Sequence, residues 1–269
     1  MLSIIISSYK PDYFDALIKN IDENIGTEYE IVKIDNPGLM GICSAYNRGA
    51  ELAKYENLLF LHEDVRIDSP NWWNILEKYY NIPDMGVIGL AGNKRKFKLP
   101  YGFHSGINHE ARMFLYHSGE NKYPFHKANY PYQVKVIDGV FIGMKKKVWE
   151  EIKFNEKIIG FHFYDLDISL RTSKLYKNYL VSDLDITHFS KGNFGDQWIN
   201  ACIKFHDTEN NYVFDEISPK EKRDVRNFWY KRLFTEEISF GKRLRYALNM
   251  GFNKDTLKAA VEFLIHKKF

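Results

Sequence analysis

The sequence predicts an α/β fold followed by a helical C-terminal appendage. The first observation is the order strand, helix, strand, helix, strand within residues 2–61. The second is that polar residues follow each predicted strand, at the sheet edge where open α/β folds bind ligands. The third is size and composition, since 269 residues that are 45% hydrophobic and 16% aromatic can bury a large core.

The first element is an apolar run over residues 2–6, rich in β-branched side chains, which predicts a buried strand. A polar loop of Ser7, Ser8 and Tyr9 follows it. Residues 12–24 then carry a helical pattern. Strand, loop and helix make the first half of a βαβ unit.

The second predicted strand covers residues 29–34 and ends at Asp35, where an Asn-Pro-Gly turn stops it. Asp35 either accepts a hydrogen bond from a nucleotide base or caps this turn. Residues 41–54 predict a helix lying on the sheet, and the apolar run 58–61 predicts a third, short strand.

The third strand delivers His62, Glu63 and Asp64 to its carboxyl end. Carboxylate oxygens in that position suit Mg²⁺ or Mn²⁺. Solvated acids at a surface strand end produce the same tripeptide, so these residues alone leave both interpretations open.

Three segments resemble GT-A-type glycosyltransferases, and most closely the large inverting group, family 2. The segments are IIISSY at 4–9, AYNRG at 45–49 with FLHEDV at 60–65, and DGVF at 138–141 with FHFYDLDISLR at 161–171. They follow one another in the family's order over roughly the first 190 residues. The resemblance implies a GT-A-like (Rossmann-like) three-layer fold that binds a nucleoside diphosphate sugar.

Two positions depart from the family pattern. Where the family has D-x-D, this chain has His62-Glu63-Asp64, so only Asp64 matches the carboxylate that contacts the metal. Where the family has E-D, this chain has Tyr164-Asp165, which leaves Asp165 as the match to the catalytic carboxylate. The chain is similar to a branch of bacterial glycosyltransferase-like proteins with H-x-D boxes and a Y-D-x-D segment.

The resemblance implies metal-assisted transfer of a sugar, with inversion, from a nucleoside diphosphate sugar to an acceptor hydroxyl, and a UDP-sugar is favoured. Mn²⁺ or Mg²⁺ would stabilise the departing diphosphate, and Asp165 would act as general base. Asp64 and His188 are the implied metal ligands. His188 follows the strand-like segment 179–187, and a hydrogen-bonded structural histidine is the alternative.

Other residues are candidates for donor binding: Ser7, Ser8, Tyr9, Asp35, Asn47, Arg48, His62 and Asp138. Asn47 and Arg48 lie on the helix expected to face the diphosphate, where Arg48 would pair with phosphate oxygens. A solvated arginine is the alternative. Asp138 precedes Gly139, whose lack of a side chain would let the backbone approach the sugar, and an ordinary turn is its alternative.

The segment after the donor half carries the acceptor-side motif. Asp165 and Asp167 point to different faces of a predicted helix, so one of them serves as the base, and the motif favours Asp165. Asp167 and Arg171 are four residues apart, which favours an ion pair within the helix over a catalytic role for Arg171.

We expect a glycosyltransferase domain over residues 1–195, with residues 1–92 as its nucleotide-sugar-binding half and 93–195 as its acceptor-side half. Within the latter, residues 93–135 are polar and aromatic, which predicts an insertion that recognises the acceptor or closes as a lid. The four histidines of this insertion have spacings that match no common metal-ligand pattern.

Residues 196–269 predict the helical appendage, in which cationic residues from Lys242 to Lys268 lie among apolar ones. Such helices either rest on an anionic membrane surface, which suits a lipid-linked acceptor, or pack on the domain or on a second subunit as a homo-oligomer. The expected acceptor is a glycan or a lipid-linked molecule, and the expected pathway makes a surface polysaccharide or glycoconjugate.

Composition bears on the remaining classes. A net charge of +3 is too small to indicate a nucleic-acid partner, and two cysteines are too few for a disulfide framework. No signal peptide and no run of 18 apolar residues is visible, so we expect a cytoplasmic protein, with peripheral contact at the inner face of the membrane as the alternative.

Two rival functions remain. A nucleotidyltransferase would normally show a glycine-rich loop after the first strand, whereas Ser7, Ser8 and Tyr9 include no glycine. A catalytically inactive sugar-nucleotide-binding protein is consistent with the altered His62-Glu63-Asp64 box.

Overall fold

The computed structural model describes residues 1–107, 109–118, 131–190, 192, 194–208, 212–234, 236, 238–251, 254 and 261. The predicted order of the first five elements is confirmed. These are β1 (Leu2–Ser8), α1 (Pro11–Asn24), β2 (Tyr29–Asp35), α2 (Ile42–Leu52) and β3 (Asn57–Leu61).

Among the described residues, the remaining elements are mostly short strands, and helices follow near the C-terminus. They are β4 (Val65–Ile67), α3 (Trp73–Tyr80), β5 (Met85–Gly89), β6 (Ala91–Asn93), β7 (Ala111–Met113), β8 (Tyr116–His117), β9 (Tyr132–Val134), β10 (Val136–Ile137), β11 (Phe141–Lys145), α4 (Lys146–Ile152), α5 (Tyr164–Thr172), β12 (Lys177–Leu180), β13 (Ile186–His188), α6 (Asp196–Asp207), α7 (Pro219–Phe234) and α8 (Phe240–Asn249).

A seven-stranded mixed sheet forms the centre of the fold, in the order β2-β1-β3-β11-β5-β12-β9. β1 runs parallel to β2 and β3, whereas β11 enters between β3 and β5 antiparallel to both. Three-stranded sheets β10-β6-β7 and β4-β13-β8 accompany it. The predicted α/β class is therefore confirmed.

Helix α2 lies on the sheet because its inner face is made of small or apolar residues. A side-chain carbon added at Gly49 would lie 2.3 Å from Ile5 Cγ2, so the glycine lets the helix approach β1 closely. Ala45, Tyr46 and Ala50 are buried on the same face. The A-x-N-x-G spacing thus has a packing cause.

Strand pairing brings distant polar residues to one edge of the sheet. Leu61 at the end of β3 pairs with Phe141 at the start of β11, so His62 follows one strand where Asp138 precedes the other. In the small sheet, His188 of β13 pairs with Val65 of β4, which sets His188 beside Asp64. This edge holds the candidate site.

The chain groups into two compact units, the first made of Met1–Lys94 and Arg112–Lys191, the second of Arg95–Ala111 and Gly192–Phe269. Residues 95–111, expected in the acceptor-side half, are thus grouped with the C-terminal helices. The domain ranges 1–195 and 196–269 stay predictions. Parts of the predicted insertion (119–130) and of the appendage (most of 252–269) lie outside the described residues.

The second unit has a buried centre of its own. The Lys96 ammonium donates to the carbonyls of Phe97 and Leu99 and lies 2.8 Å from His206 Nε2. His206 Nδ1 lies 2.7 Å from the Cys202 carbonyl, so Nδ1 donates and Nε2 accepts.

Within the part of the chain that the structure describes, no helix is long and apolar enough to cross a membrane.

Candidate active site

Three side chains with metal-ligating atoms meet at the sheet edge. One ligand atom each of His62, Asp64 and His188 lies within 4.8 Å of the others. His188 Nε2 is 3.3 Å and His62 Nδ1 is 3.9 Å from Asp64 Oδ1. The predicted ligands Asp64 and His188 are therefore neighbours, and His62, predicted to bind the donor, lies with them.

Asp64 is strongly favoured in its ionised form. Burial acts to raise the pKa of this carboxyl, but hydrogen bonds from His188 and Ser190 and the nearby His62 imidazole more than offset that effect. The pKa of Asp64 is consequently well below its usual range. His188 is buried, and its Nδ1 has no hydrogen-bond partner among the described residues.

The three ligand atoms suit a divalent transition metal. Two imidazole nitrogens and one carboxylate oxygen are close enough to share an ion, and they leave room in a coordination sphere for oxygens of a second molecule. Imidazole ligands favour transition ions, whereas Mg²⁺ prefers oxygen, so this set suits Mn²⁺ better than Mg²⁺.

Asp165 and Asp138 are two carboxylates in the same region. Burial and, next, the negative charge of Asp138 raise the pKa of Asp165 to about 7. Asp165 also accepts a hydrogen bond from the Leu166 amide at the start of α5. Asp138 accepts one from the Val140 amide, which is the ordinary turn considered for it. A carboxylate with such a pKa can take a proton near neutral pH.

Phe163 and Tyr164 shape the chain just before Asp165. Phe163 has a φ of 66°, a left-handed conformation that a bulky residue rarely adopts. Tyr164 is buried, and its hydroxyl lies 2.9 Å both from the Gly139 carbonyl and from His62 Nε2. Phe163 therefore turns the chain directly before Tyr164, which contacts His62, and Asp165, the candidate general base.

The predicted contacts of the nucleotide base lie at the ends of β1 and β2. Ser7 and Ser8 belong to β1 and not to the polar loop expected there, and Tyr9 follows them before α1. Ser8 is buried, Tyr9 is 61% exposed, and Ser8 pairs with Asp35 across β1 and β2. Asp35 is exposed and pairs with Lys33. Asn36 caps the turn after β2, because its carboxamide donates to the Met40 carbonyl and accepts from the Met40 amide. Asp35 is therefore not the residue that caps this turn.

The structure gives Asn47 a different role from the predicted one. Its carboxamide donates to the Phe154 carbonyl and Glu156, and it accepts from Trp149 Nε1 and the Phe154 amide. These four bonds use its full capacity, and the residue is buried. Asn47 therefore anchors the segment after α4 and has no free group for a diphosphate. Arg48, next to it, is exposed.

Asp167 and Arg171 form the predicted ion pair within α5, which is confirmed. Arg171 Nε lies 2.8 Å from Asp167 Oδ2. The same guanidinium donates to the carbonyls of Ile152 and Lys153. Asp167 is thus engaged structurally, and Asp165 is left as the carboxylate available for chemistry.

The sequence patterns missed several residues of this region. Glu63 is buried and accepts hydrogen bonds from the Tyr9 and Lys10 amides. Its position inside the H-x-D box was the available signal, although the role depends on a contact 54 residues away. His117 pairs with His188 across β8 and β13, their ring centroids 5.6 Å apart, and its spacing to the other histidines gave no hint of this.

Comparison with known proteins identifies the family. Residues 3–221 match the family described as "Glycosyltransferase like family". No curated protein matches the chain in sequence.

GalNAc-T7 and TarS are two of the solved proteins that have a similar fold. The crystal structure of GalNAc-T7 with UDP, GalNAc and Mn²⁺ has a TM-score of 0.52 at 10% identity, covering 99% of this chain and 57% of that one. The crystal structure of S. aureus TarS 1-349 in complex with UDP-GlcNAc has a TM-score of 0.50 at 12% identity, covering 96% and 81%. The chain thus spans little more than half of the GalNAc-T7 chain. At these identities the likeness concerns the fold, and it confirms the predicted GT-A-like fold.

The sequence match covers most of the chain, including the strands and helices that carry the histidines and carboxylates described above. The chain belongs to the glycosyltransferase-like family.

Proposed function

We propose that this protein transfers a sugar from a nucleoside diphosphate sugar to an acceptor hydroxyl, with inversion and with the assistance of a divalent metal. The observation that carries the proposal is the group formed by His62, Asp64 and His188 in the same unit as Asp165, a carboxylate with a pKa of about 7. Transfer with inversion needs one anion-stabilising centre and one general base.

The metal site would consist of Asp64 and His188, as the family resemblance implies, with His62 beside them. A bound Mn²⁺ or Mg²⁺ would supply positive charge to the diphosphate as it departs. The ionised state of Asp64, favoured by its low pKa, suits this role. Two imidazoles and one carboxylate support Mn²⁺ over Mg²⁺ as the preferred ion.

Asp165 would accept the proton of the attacking hydroxyl. Its raised pKa keeps it a stronger base than an ordinary aspartate while leaving it largely ionised above neutral pH. Inversion requires no covalent intermediate on the protein. Consistently, the Cys43 thiol is buried, and burial raises its pKa to about 12, so it is a poor nucleophile.

The donor would be a UDP-sugar bound across the ends of β1, β2 and β3. GalNAc-T7 and TarS were crystallised with UDP and UDP-GlcNAc respectively, which supports uracil as the base. Ser7, Ser8, Tyr9 and Asp35 would contact the base and ribose. Asp138 and Arg48 would contact the sugar and the diphosphate.

The acceptor would be a glycan or a lipid-linked molecule. The protein would be cytoplasmic and would act in the synthesis of a surface polysaccharide or glycoconjugate.

For the C-terminal helices, packing supports the intramolecular alternative, because Tyr246 and Ala247 of α8 are buried within the second unit. Phe240, Arg245 and Leu248 are among the exposed residues of α8 that could contact a membrane or a second copy. Flotation with anionic vesicles and sedimentation velocity distinguish these partners.

The proposal is tested by thermal shift with UDP, GDP, CMP and dTDP, with and without Mn²⁺. We expect one nucleotide, UDP, to raise the melting temperature in a Mn²⁺-dependent way, since a ligand that binds only the native state stabilises it. Asp64→Ala should abolish the Mn²⁺-dependent part. If none of the four nucleotides raised the melting temperature, the result would contradict the proposed donor site.

Donor hydrolysis distinguishes an enzyme from an inactive sugar-nucleotide-binding protein. We expect slow release of UDP from a UDP-sugar in the absence of acceptor, lost in Asp165→Ala while UDP still raises the melting temperature. Asp84→Ala is a matched control, because Asp84 forms an ion pair with Lys177 at the start of β12, outside the proposed site. Binding without hydrolysis, for a range of sugars and acceptors, would favour the inactive binding protein.

A further inference from the structure

The two departures from the family pattern contact each other. His62 stands where the family has the first aspartate of its metal box, and Tyr164 stands where it has an acidic residue before the base. Tyr164 is 4% exposed, and its hydroxyl lies 2.9 Å from His62 Nε2 across 102 residues of sequence. The two changes therefore form one structural feature.

The hydrogen-bond partners decide which nitrogen of His62 carries the proton. Tyr164 has one hydroxyl hydrogen, and the Gly139 carbonyl, 2.9 Å away, can only accept it. The Tyr164 oxygen is then left as an acceptor for a hydrogen on His62 Nε2. A neutral imidazole with its hydrogen on Nε2 has a lone pair on Nδ1, the atom 3.9 Å from Asp64 Oδ1.

This arrangement suits a bound cation. A nitrogen lone pair and an ionised carboxylate oxygen face each other across 3.9 Å without a hydrogen between them. A positive charge or a bridging hydrogen-bond donor makes such a contact favourable, and a metal ion supplies the positive charge. His188 Nε2, 3.3 Å from the same oxygen, completes the set.

Gly139 makes the contact of Tyr164 possible. A side-chain carbon at position 139 would lie 2.3 Å from the Tyr164 hydroxyl. The glycine of the D-G element therefore leaves the space through which the tyrosine reaches the backbone carbonyl. Any side chain there would displace the hydroxyl from His62.

We propose that Tyr164 is a positioning residue that orients His62 and fixes its tautomer, and so makes His62 the third ligand of the metal held by Asp64 and His188. The inference rests on the metal-assisted function proposed above. It also predicts selectivity, because a site with two imidazoles favours Mn²⁺ over Mg²⁺. Partners that hold a ligating histidine commonly tune metal affinity roughly 10- to 100-fold.

The first test is a titration of the whole protein with Mn²⁺, in which electron paramagnetic resonance measures the free ion. We expect Tyr164→Phe, which keeps the ring and removes the hydroxyl, to weaken Mn²⁺ binding by roughly tenfold or more and to reduce the preference over Mg²⁺. Tyr80→Phe is the matched control, because Tyr80 is buried and donates to the Leu58 carbonyl at the other end of β3. Its Mn²⁺ affinity should equal that of the wild type.

A double-mutant cycle shows whether Tyr164 acts through His62. His62→Ala should weaken Mn²⁺ binding at least as much as Tyr164→Phe, and adding Tyr164→Phe to it should cause no further loss. Additive losses, unchanged binding in Tyr164→Phe, or a wild type that binds no Mn²⁺ would each overturn the inference.

A spectroscopic measurement covers the case in which Tyr164→Phe does not fold. In metal-free wild-type protein with ¹⁵N-labelled histidine, we expect His62 to carry its hydrogen on Nε2, and a hydrogen on Nδ1 would refute the assignment. Failure of the proposed function has a separate signature. Tight Mn²⁺ binding that depends on Tyr164, without UDP-sugar hydrolysis or transfer, would sustain this inference and overturn the enzyme.

Discussion

Asp165, the second residue of α5, is subject to two opposing influences on its ionisation. Burial and the charge of Asp138 disfavour its ionised form, whereas backbone amides at the helix start favour it, and the outcome is a pKa of about 7. The sequence motif identified the residue, but its raised pKa comes from burial and, next, from the charge of Asp138, 27 positions away in the chain. Residue-scale chemistry here is thus a property of two segments brought together.

The raised pKa predicts the pH dependence of activity. Because the base must be ionised, kcat/KM for transfer should rise as the pH increases through about 7 and level off above it. Asp138→Asn removes the neighbouring negative charge, so the pKa of Asp165 should fall and the acidic limb should move to lower pH. The measurement is the position of the limb, since Asp138→Asn also weakens donor binding in our proposal. A limb that stays in place would show that Asp138 does not tune the base.

Among the elements, α2 and the β1–α1 loop depend on side chains that reach far along the chain. Asn47 attaches α2 to the segment after α4, and Glu63 attaches the end of β3 to the loop that carries Tyr9. Both are polar residues inside a family motif that hold backbone groups. Their motif positions therefore reflect the construction of the site as well as its contacts with substrate.

Asn47→Ala should destabilise the fold by roughly 3 kcal/mol, because it leaves the Trp149 indole and the Phe154 backbone without their buried partner. Arg48→Ala, at the neighbouring exposed position, should change the free energy of unfolding by less than about 0.5 kcal/mol. Urea denaturation measures both. Normal stability of Asn47→Ala combined with lost UDP binding would instead support the original donor-binding role.

Glu63→Gln should weaken UDP binding by about tenfold, because a carboxamide replaces the charged acceptor that holds the Tyr9 and Lys10 amides at 3.1 to 3.3 Å. The loss should be in KM for the donor, with kcat less affected, since in our proposal the loop contacts the nucleotide base and not the reacting atoms. Glu77→Gln is the control, because Glu77 accepts a bond from Trp73 within α3. An effect confined to kcat would contradict the loop-ordering role.

At the scale of the whole molecule, every residue of the proposed site lies in the first compact unit. The second unit contributes Arg95–Ala111 and the C-terminal helices, built around Lys96 and His206. Burial strongly lowers the pKa of Lys96, yet its ammonium has three acceptors within 3.2 Å. We interpret this cluster as structural.

Lys96→Met should therefore lower the free energy of unfolding by about 2 to 4 kcal/mol, since two carbonyls and His206 lose their donor in a buried setting. The Mn²⁺ affinity of the folded variant should match that of the wild type. Chemical denaturation and Mn²⁺ titration at a temperature where the variant is folded provide the two readouts. A large loss of Mn²⁺ affinity would show that the metal site depends on the second unit.

The sequence by itself determined the first five elements, the α/β class and the family, together with Asp64 and Asp165 as the carboxylates to consider. Apolar periodicity and short motifs are local, so they can be read without knowing what packs where. The pair formed by Asp167 and Arg171 was predictable for the same reason, because four residues make one turn of a helix.

Only the tertiary structure decided which side chains share the site. Pairing of β13 with β4 brings His188 to Asp64, and entry of β11 beside β3 brings Gly139 and Tyr164 to His62. It also turned Asn47 inward and grouped residues 95–111 with the C-terminal helices. Strand register and long-range packing select these neighbours, and each depends on contacts between segments far apart in the chain.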